Sequence, residues 1–447
     1  MRILERLVLV LAVPMALVGC GGPDSAHPEP SEAGTVQQGP PPGIDAAPPS
    51  DGGGADTGDS NSGDGGVPGY PAFVPDIGRI SNQGGTVLTS PKIVSVTWST
   101  DTNASSLQDF GDKIGASSYW KAIAGEYGVG AATSGMANHV VITTPSPNPW
   151  DDQAIESWII QQLTDTATSK WPSPDAQTVY IVYTPPGVKV TSSGQDACQT
   201  YSGYHSEVTV GSNAHVLYGL VVGECNGPDT VLNAATETSA HEIVEAATDP
   251  HTNSDLAYTQ FDNAHWAWEM FQQNQDEVAD ACENYNESYY MEGADLPYYV
   301  QRSWSNASAI AGHDPCVPAV KAPYFNVTQL NPDAISVVVD PQATKPLATT
   351  GYHIPVGQTK TFSVGLYSDA PTAGAWTVKA VEGDGMSTPA ASVLTISTDK
   401  SSGQNGDKIN LTVKVNTAPG KVDAVLMTLV STLNGHSHYM PVLIGAY

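Results

Sequence analysis

A histidine and two glutamates stand close together in the segment TETSAHEIVEAATDPH, residues 236 to 251. They are His241, Glu242 and Glu245, in the pattern H-E-x-x-E. The helix that we predict here follows Asp229, a residue suited to an N-cap, and ends before Pro250, because proline disfavours helix in the preceding residue. On a helix of about five turns, His241 and Glu245 project from one face and can bind a single metal ion.

Glu242 lies one position away from that face, where it could reach a water molecule on the ion rather than the ion itself. The H-E-x-x-H helix of zincin peptidases supplies two ligands and a general base in the same way. Glu245 occupies the place of the second histidine, and zinc accepts carboxylate oxygen. We therefore predict one divalent ion, zinc first, with manganese or calcium less disfavoured than in an all-histidine site. The alternative is a charged helix that binds no ion.

A third ligand must come from another segment. Glu277 and Asp280 lie three residues apart in NQDEVADACENY, which we predict to be a second short helix, and many zincins supply a carboxylate from such a helix. His251 is a rival because it follows His241 by ten residues, the spacing of the third histidine in metzincins. Pro250 stands in the stretch where that pattern has a glycine turn. We rank Asp280 and Glu277 above His251.

The segments around this helix alternate between strand and helix patterns. Apolar residues at helical spacing indicate helices near residues 107 to 123 and over 151 to 169. Buried strands are predicted at Lys92 to Trp98, 138 to 144, 177 to 184 and 214 to 222. This order predicts an α/β domain over residues 71 to 322, with a mixed central sheet covered by helices in a zincin-like arrangement.

The character of the sequence changes near residue 323. Seven apolar, β-branched segments separated by Gly, Pro and Asn turns follow, and none has a helical pattern: AISVVVD, KTFSVGLYS, GAWTVKAVE, ASVLTIST, KINLTVKVN, DAVLMTLVST and HYMPVLIGA. Short strands at such intervals predict an all-β, Ig-like sandwich domain over residues 323 to 447.

The amino terminus predicts export. Residues 1 to 20 combine a short basic start, an apolar stretch and the ending LVGC, which is typical of a lipoprotein signal peptide cleaved before Cys20. Lipid on Cys20 would attach the chain to a membrane. Residues 21 to 70 are almost entirely Gly, Pro, Ser, Asp and Ala, a composition that predicts a disordered tether. We expect a protein of the outer membrane or cell surface.

The net charge limits the kinds of partner, and the cysteine content predicts the disulfides. The net charge of −29, from 46 acidic and 17 basic residues, argues against nucleic acid as a partner. Apart from Cys20, the chain has Cys198, Cys225, Cys282 and Cys316. An even number in an exported chain predicts two disulfides. Order along the chain favours 198 with 225 and 282 with 316, although other pairings are open.

Several segments, taken in order, resemble the EXORDIUM (phosphate-induced protein) family of secreted proteins, which is known from plants and has bacterial relatives. They span residues 78 to 318 and are GGTVLTSPKIVSVTW, CQTYSGYHS, YGLVVGEC, SAHEIVEAATDP, DEVADACENY and YYVQRSWSNASAIAGHDPC. The resemblance implies a site formed by His241, Glu242, Glu245, Glu277 and Asp280, with His205 of GYHS as a neighbour. The plant relatives are associated with cell-wall growth, which does not define a reaction.

Two functions are compatible with these patterns. The first is a lipid-anchored extracytoplasmic metal-dependent hydrolase, a zinc peptidase-like protein in which Glu242 takes a proton from a water that the ion has acidified. Its partners would be a peptide or a cell-surface polymer, besides the membrane. The second is a non-catalytic exported module that binds the cell surface or cell wall, with a structural metal or none.

Overall fold

The computed structural model describes residues 69–447, apart from 166–168, 193, 200, 212–213, 224, 226–229, 274–275, 286, 344 and 386–391. The predicted signal peptide, Cys20, Asp229 and nearly all of the predicted tether lie outside the described residues. The described residues all belong to one compact unit, Gly66–Tyr447. We refer to residues 69–322 as the α/β region and to residues 323–447 as the sandwich region.

The α/β region contains strands and helices in mixed order. They are β1 (Ile80–Asn82), β2 (Lys92–Trp98), α1 (Ala104–Ile114), α2 (Ser118–Ile123), β3 (His139–Ile142), β4 (Trp150–Asp151), α3 (Asp152–Thr164), β5 (Thr178–Tyr183), β6 (Val190–Ser192), β7 (Gln195–Asp196), β8 (Gly203–Val210), β9 (Ala214–Val221), α4 (Val231–Thr248), β10 (Tyr258–Phe261), α5 (Trp266–Gln272), α6 (Asp280–Glu283), β11 (Tyr289–Met291), β12 (Tyr299–Gln301), β13 (Ser303–Trp304), α7 (Asn306–Ala311) and β14 (Cys316–Val317). Three short 3-10 helices cover Ala124–Tyr127, Met136–Asn138 and Asn263–His265.

The central sheet has five strands in the order β3-β2-β5-β9-β8. Strands β3, β2, β5 and β9 run parallel, and β8 pairs with β9 in the antiparallel direction. This mixed sheet covered by helices was predicted, and the four predicted strands are confirmed. Strand β8 was not predicted. It is the edge strand that carries His205.

Helices cover both faces of the central sheet. On β5, Ile181 packs on the side of α1 and α4, whereas Val182 packs on the side of α3. Because successive strand residues point to opposite faces and both faces are covered, all six residues of β5 are buried. The other paired strands of the region form small sheets, β1-β10, β11-β12, β13-β14 and β4-β6-β7.

Both predicted disulfides are confirmed. Cys198 is bonded to Cys225 beside the sheet edge, and Cys282 of α6 is bonded to Cys316 of β14. Disulfides are typical of exported proteins. Within the part of the chain that the structure describes, no helix combines the length and apolar character needed to cross a membrane.

The sandwich region consists of strands, and its described residues contain no helix. The strands are β15 (Phe325–Gln329), β16 (Asp333–Val337), β17 (Leu347–His353), β18 (Thr359–Ser368), β19 (Trp376–Glu382), β20 (Leu394–Thr398), β21 (Ser402–Gly403), β22 (Lys408–Val415), β23 (Ala424–Leu433) and β24 (His436–Gly445). They form two sheets, β15-β18-β22-β20 and β16-β17-β24-β23-β19-β21. Ring contacts join the sheets, Phe325 with Trp376 and Tyr352 with Phe362. Each of the seven predicted strands is present, and β15, β17 and β21 are additional.

Candidate metal centre

The helix α4 carries the H-E-x-x-E residues as predicted. It covers Val231–Thr248, and the Thr230 hydroxyl caps its start by accepting a hydrogen bond from the Asn233 amide at 3.1 Å. The helix ends at Asp249-Pro250, consistent with the conformational restriction before proline. Glu242 and Glu245 face inward, because each is only 4% exposed. Buried carboxylates are costly unless they are paired or bind a cation.

Three of the predicted ligands converge. His241 Nε2 lies 3.0 Å from Glu245 Oε2 and 3.4 Å from Asp280 Oδ1. A tetrahedral ion with ligands at about 2.0–2.2 Å separates neighbouring donor atoms by about 3.3–3.6 Å. The donor atoms of His241, Glu245 and Asp280 all lie within 4.8 Å of one another, so this group is a candidate for the predicted ion.

The surroundings of His241 orient its ring. Its Nδ1 lies 3.0 Å from Gln301 Oε1, and the Gln301 side-chain amide donates to the Ala279 carbonyl at 2.8 Å. That second bond turns Oε1 towards the histidine, so Nδ1 is the donor and Nε2 keeps a lone pair for an ion. Outer partners of this kind are usual for metal-binding histidines.

Asp280 is held by its own backbone and by a disulfide. The Asp280 amide donates to Glu245 Oε1 at 3.0 Å, which joins the start of α6 to the α4 carboxylate. Two residues further on, Cys282 is bonded to Cys316 of β14. The ligand carboxylate therefore lies on a segment that is covalently tied to a neighbouring strand.

A second histidine reaches the same helix from strand β8. His205 Nδ1 lies 3.5 Å from Glu242 Oε2 and 3.6 Å from Glu245 Oε2. Its Nε2 lies 3.2 Å from the Asp249 carbonyl. His205, Glu242 and Glu245 form another group whose donor atoms lie within 4.8 Å of one another. The sequence suggested His205 as a neighbour, and the structure brings it into direct contact with both glutamates.

Glu277 lies on the far side of His205. Its Oε2 is 3.4 Å from His205 Nε2, and it is in neither of the two groups of donor atoms. The predicted short helix begins only at Asp280, because the Val278 carbonyl accepts a hydrogen bond from the Trp304 amide instead of an intrahelical donor. Glu277 therefore precedes α6 instead of lying one turn before Asp280 on a common helix. As a ligand, it stays a prediction.

His251 also lies outside both groups. Its Nδ1 is 2.7 Å from Glu207 Oε2, and the same oxygen is 3.1 Å from His215 Nδ1. The chain turns at Asp249-Pro250, directly after α4, and directs His251 towards strand β8. The structure thus favours Asp280 as the partner of His241 and Glu245.

The cluster has strongly shifted acid–base equilibria without an ion. Burial lowers the pKa of His205, but the carboxylates of Glu277, Glu242 and Glu245 outweigh burial and raise it to about 10. Burial opposes protonation of His241 too, yet Glu245 and Asp280 raise its pKa well above the ordinary value. Burial, followed by the charge of Asp280, raises the pKa of Glu245 to about 7. An ion that binds these imidazoles would therefore compete with protons.

A polar pocket of about 120 Å³ opens beside the cluster. His241, Glu242 and Asp280 contribute to its wall, together with Glu237 and Tyr289. Residues whose side chains are otherwise buried in the cluster are therefore in contact with a space that water or part of a substrate can enter.

Glycine allows the helix and the sheet to approach each other. A Cβ atom on Gly203 of β8 would lie 2.6 Å from the Leu220 carbonyl oxygen, 2.5 Å from Thr238 Cγ2 and 3.0 Å from Glu242 Oε1. Because contacts under 3.0 Å with backbone cannot be relieved by side-chain rotation, only glycine fits here. This close packing brings His205, two residues along β8, to Glu242.

Two features of the centre were missed in the sequence. Gln301, which orients His241, lies sixty residues downstream on β12, and no local pattern connects the two. Strand β8 had a usable signal, because Tyr204 and Val208 alternate with His205 and Glu207 in GYHSEV. That alternation predicts a strand with a polar face, and the polar face is the one that meets α4.

Comparisons with known proteins add little. No family model matches the chain, and no curated protein matches it. A solved structure of surface layer protein SbsC, domains 1-6, is similar at 16% identity with a TM-score of 0.16. That likeness covers 36% of this chain and 19% of the SbsC chain, so this chain spans less than a fifth of it. A likeness at this level shows neither fold nor function, and the resemblance to the EXORDIUM family stays a prediction.

Proposed function

We propose that this protein is an exported, lipid-anchored, metal-dependent hydrolase of peptidase-like mechanism. One observation carries the proposal: donor atoms of His241, Glu245 and Asp280 converge within 4.8 Å beside a polar pocket, with Glu242 next to them. The spacing of His241, Glu242 and Glu245 on one helix supports a zincin-like arrangement of ligands and base.

The residues would divide the chemistry. His241, Glu245 and Asp280 would hold a divalent ion, zinc being the first choice for nitrogen and carboxylate donors. Such an ion supplies Lewis acidity and makes a water molecule more acidic. Glu242 lines the pocket, where it could reach such a water molecule. It would accept the proton of the attacking water and return it to the leaving amine.

Localisation is part of the proposal. The two disulfides favour an oxidising compartment. The LVGC sequence ending at Cys20 supports cleavage and lipid attachment, and the Gly- and Pro-rich stretch that follows would let the folded part stand away from the membrane. The Ig-like strand pattern of the sandwich region suggests that it holds a substrate or a surface polymer.

The test combines metal content with peptide cleavage. Protein beginning at residue 71 is purified without chelator, its metal is measured by mass spectrometry, and it is incubated with a peptide library. We expect bound zinc in the wild type and its loss in His241→Ala and Asp280→Ala. Glu242→Gln should keep metal at the His241 group while turnover falls about 10²–10⁴-fold, the usual contribution of a general base. His313→Ala, which changes a half-exposed histidine in contact with Asp369, is the matched control.

The second candidate is a non-catalytic surface-binding module with a structural ion or none. The deep burial of Glu242 and Glu245 favours it, because side chains so enclosed can serve packing and charge pairing alone. Under this reading His241→Ala lowers the melting temperature and Glu242→Gln alters no reaction. A metal-free wild type without peptide cleavage, whose melting temperature zinc does not raise, would overturn the hydrolase proposal.

A further inference from the structure

The donor atoms of the centre fall into two groups that share one residue. The groups are His205, Glu242 and Glu245, and His241, Glu245 and Asp280. The shared contact is a single atom, because Glu245 Oε2 lies 3.6 Å from His205 Nδ1 and 3.0 Å from His241 Nε2. We propose that the centre holds two divalent ions, one in each group, with Glu245 as the bridging ligand. The inference rests on the proposed hydrolase site and goes beyond its single ion.

One ion does not account for both histidines. All donors to an ion at about 2.0–2.2 Å must lie within about 4.4 Å of one another. His205 and His241 are not members of one group even at 4.8 Å. An ion bound by His241, Glu245 and Asp280 therefore leaves His205 without a metal. His205 Nδ1 then faces the carboxylates of Glu242 and Glu245, and a second ion would bind to these three groups.

Both rings are oriented in the same way for metal binding. His205 Nε2 faces acceptors, the Asp249 carbonyl at 3.2 Å and Glu277 Oε2 at 3.4 Å. His241 Nδ1 faces an acceptor too, Gln301 Oε1 at 3.0 Å. In each case the outer nitrogen has a place for its proton, and the inner nitrogen faces carboxylates only. Outer acceptors of this kind fix the tautomer in which the inner nitrogen is free to bind metal.

Charge balance also favours two ions. The carboxylates of Glu242, Glu245, Asp280 and Glu277 all lie within reach of one of the two histidines. One divalent ion supplies half as many positive charges as these four carboxylates carry when all are ionised, and two ions supply an equal number. Uncompensated charge in a buried site is expensive, so the second ion removes a cost that one ion leaves.

Two ions change the division of roles. Centres with two metals about 3.5–4 Å apart stabilise both the attacking and the leaving groups of a displacement. Glu242 would then be a ligand on the His205 side. With two ions, Glu242 is therefore a metal ligand and not the base that the one-ion proposal assigns to it.

Stoichiometry tests the proposal on the full chain, with Cys20 kept and the protein held in detergent. Ion-free protein is titrated with Zn²⁺ and with Mn²⁺, bound ion is measured by mass spectrometry, and the Mn²⁺ form is examined by electron paramagnetic resonance. We expect about two ions per chain and a spectrum of two coupled Mn²⁺ ions. His205→Ala and Asp280→Ala should each reduce binding to about one ion and abolish the coupling. His215→Ala, which changes a partly exposed histidine of β9 outside both groups, should keep both ions.

The outcomes separate this inference from the proposed hydrolase. A wild type that saturates at one ion, lost in His241→Ala and kept in His205→Ala, leaves the hydrolase standing and overturns the second ion. A wild type that binds none overturns both. The spectrum of the wild type decides even if His205→Ala fails to fold, because an uncoupled Mn²⁺ signal at saturation contradicts a bridged pair.

Discussion

The α/β region and the sandwich region bury different kinds of side chain. Helix α4 encloses Glu242 and Glu245, each 4% exposed, beside histidines that form ion pairs with them. Strands β23 and β24 enclose Met427, Leu429 and Met440, all 0% exposed. Buried apolar area stabilises a fold, whereas buried charge costs free energy unless it is compensated. The contrast indicates that the α/β region contains buried charge whose cost must be compensated, whereas these sandwich strands bury apolar area.

The buried histidines repeat the contrast. His265 of the α/β region lies between two carboxylates, with Nε2 2.8 Å from Asp76 and Nδ1 2.7 Å from Asp262. His438 of the sandwich region packs against aromatic rings, with ring centroids 4.5 Å from Tyr324 and 4.8 Å from Phe325. One environment favours the charged imidazole and the other the neutral one, so the regions should respond oppositely to pH.

The largest effect on stability is expected in the sandwich core. Leu411 on β22 is fully buried, and Leu411→Ala should lower the free energy of unfolding by about 2–5 kcal/mol through lost burial and a cavity. Chemical denaturation measures the change, with exposed Lys414→Ala of the same strand as control. Bound metal per folded chain should stay the same. If folded Leu411→Ala lost its metal, packing in the sandwich region would affect the metal centre. The contrast between the two regions would then fail.

The next effect is an alkaline loss of stability at His265. Burial lowers its pKa, but Asp262 and Asp76 raise it to about 9. The folded chain binds this proton more tightly than the unfolded chain, so the contribution is complete below about pH 6.5 and is lost as the pH rises through about 9. The advantage of wild type over His265→Gln should therefore shrink by about 2–3 kcal/mol between pH 6 and pH 10.

Urea denaturation of both proteins across that range measures the difference. His313→Gln is the control, since its histidine is more exposed and contacts a single carboxylate. A gap between wild type and His265→Gln that does not change with pH would show that the ring contributes packing rather than charge.

Stability should also depend on pH through His438, but the change should be smaller and in the opposite direction. Burial, aided by His436, lowers its pKa to about 3. The unfolded chain takes up a proton below about pH 6.5 and the folded chain does not, so stability falls as the pH falls. At pH 5 the cost should be about 2 kcal/mol relative to pH 8. His438→Phe should lose this dependence, measured by denaturation at both values. If the stability of His438→Phe falls with decreasing pH as steeply as that of wild type, the acid sensitivity arises from carboxylates instead.

Local patterns in the sequence were sufficient for much of the fold. Strand β2 was predicted with its observed bounds, Lys92–Trp98, because its residues are nearly all apolar or β-branched and are flanked by turns. Helix α4 was predicted from its spacing and its proline, although its N-cap is Thr230 and not the predicted Asp229. The candidate ligands on α4 came from the same local reasoning, since two residues four apart on a helix must share a face.

Contacts between distant segments could not be predicted in this way. The orientation of His241 depends on Gln301, and the approach of His205 depends on Gly203 and on antiparallel pairing of β8 with β9. The separation of Glu277 from the His241 group accompanies a hydrogen bond from the Trp304 amide to the Val278 carbonyl, just before the helix starts at Asp280. Each of these is a tertiary contact with no counterpart in local spacing.

The smallest effect tests the cost of charge in α4 directly. Burial, followed by Asp280, raises the pKa of Glu245 to about 7, so ionising this carboxyl near pH 8 destabilises the ion-free chain. Glu245→Gln keeps an oxygen to accept from the Asp280 amide and removes the charge. The relief of this burial cost is partly offset by the lost pairing with His241, so by denaturation in chelator we expect the ion-free variant to be about 1 kcal/mol more stable than ion-free wild type at pH 8. The variant should also lose bound metal, so that added zinc raises the melting temperature of wild type alone. If ion-free Glu245→Gln is instead less stable, the pairing with His241 outweighs the cost of burial, and the α/β region gains stability from its charges as the sandwich region does from apolar packing.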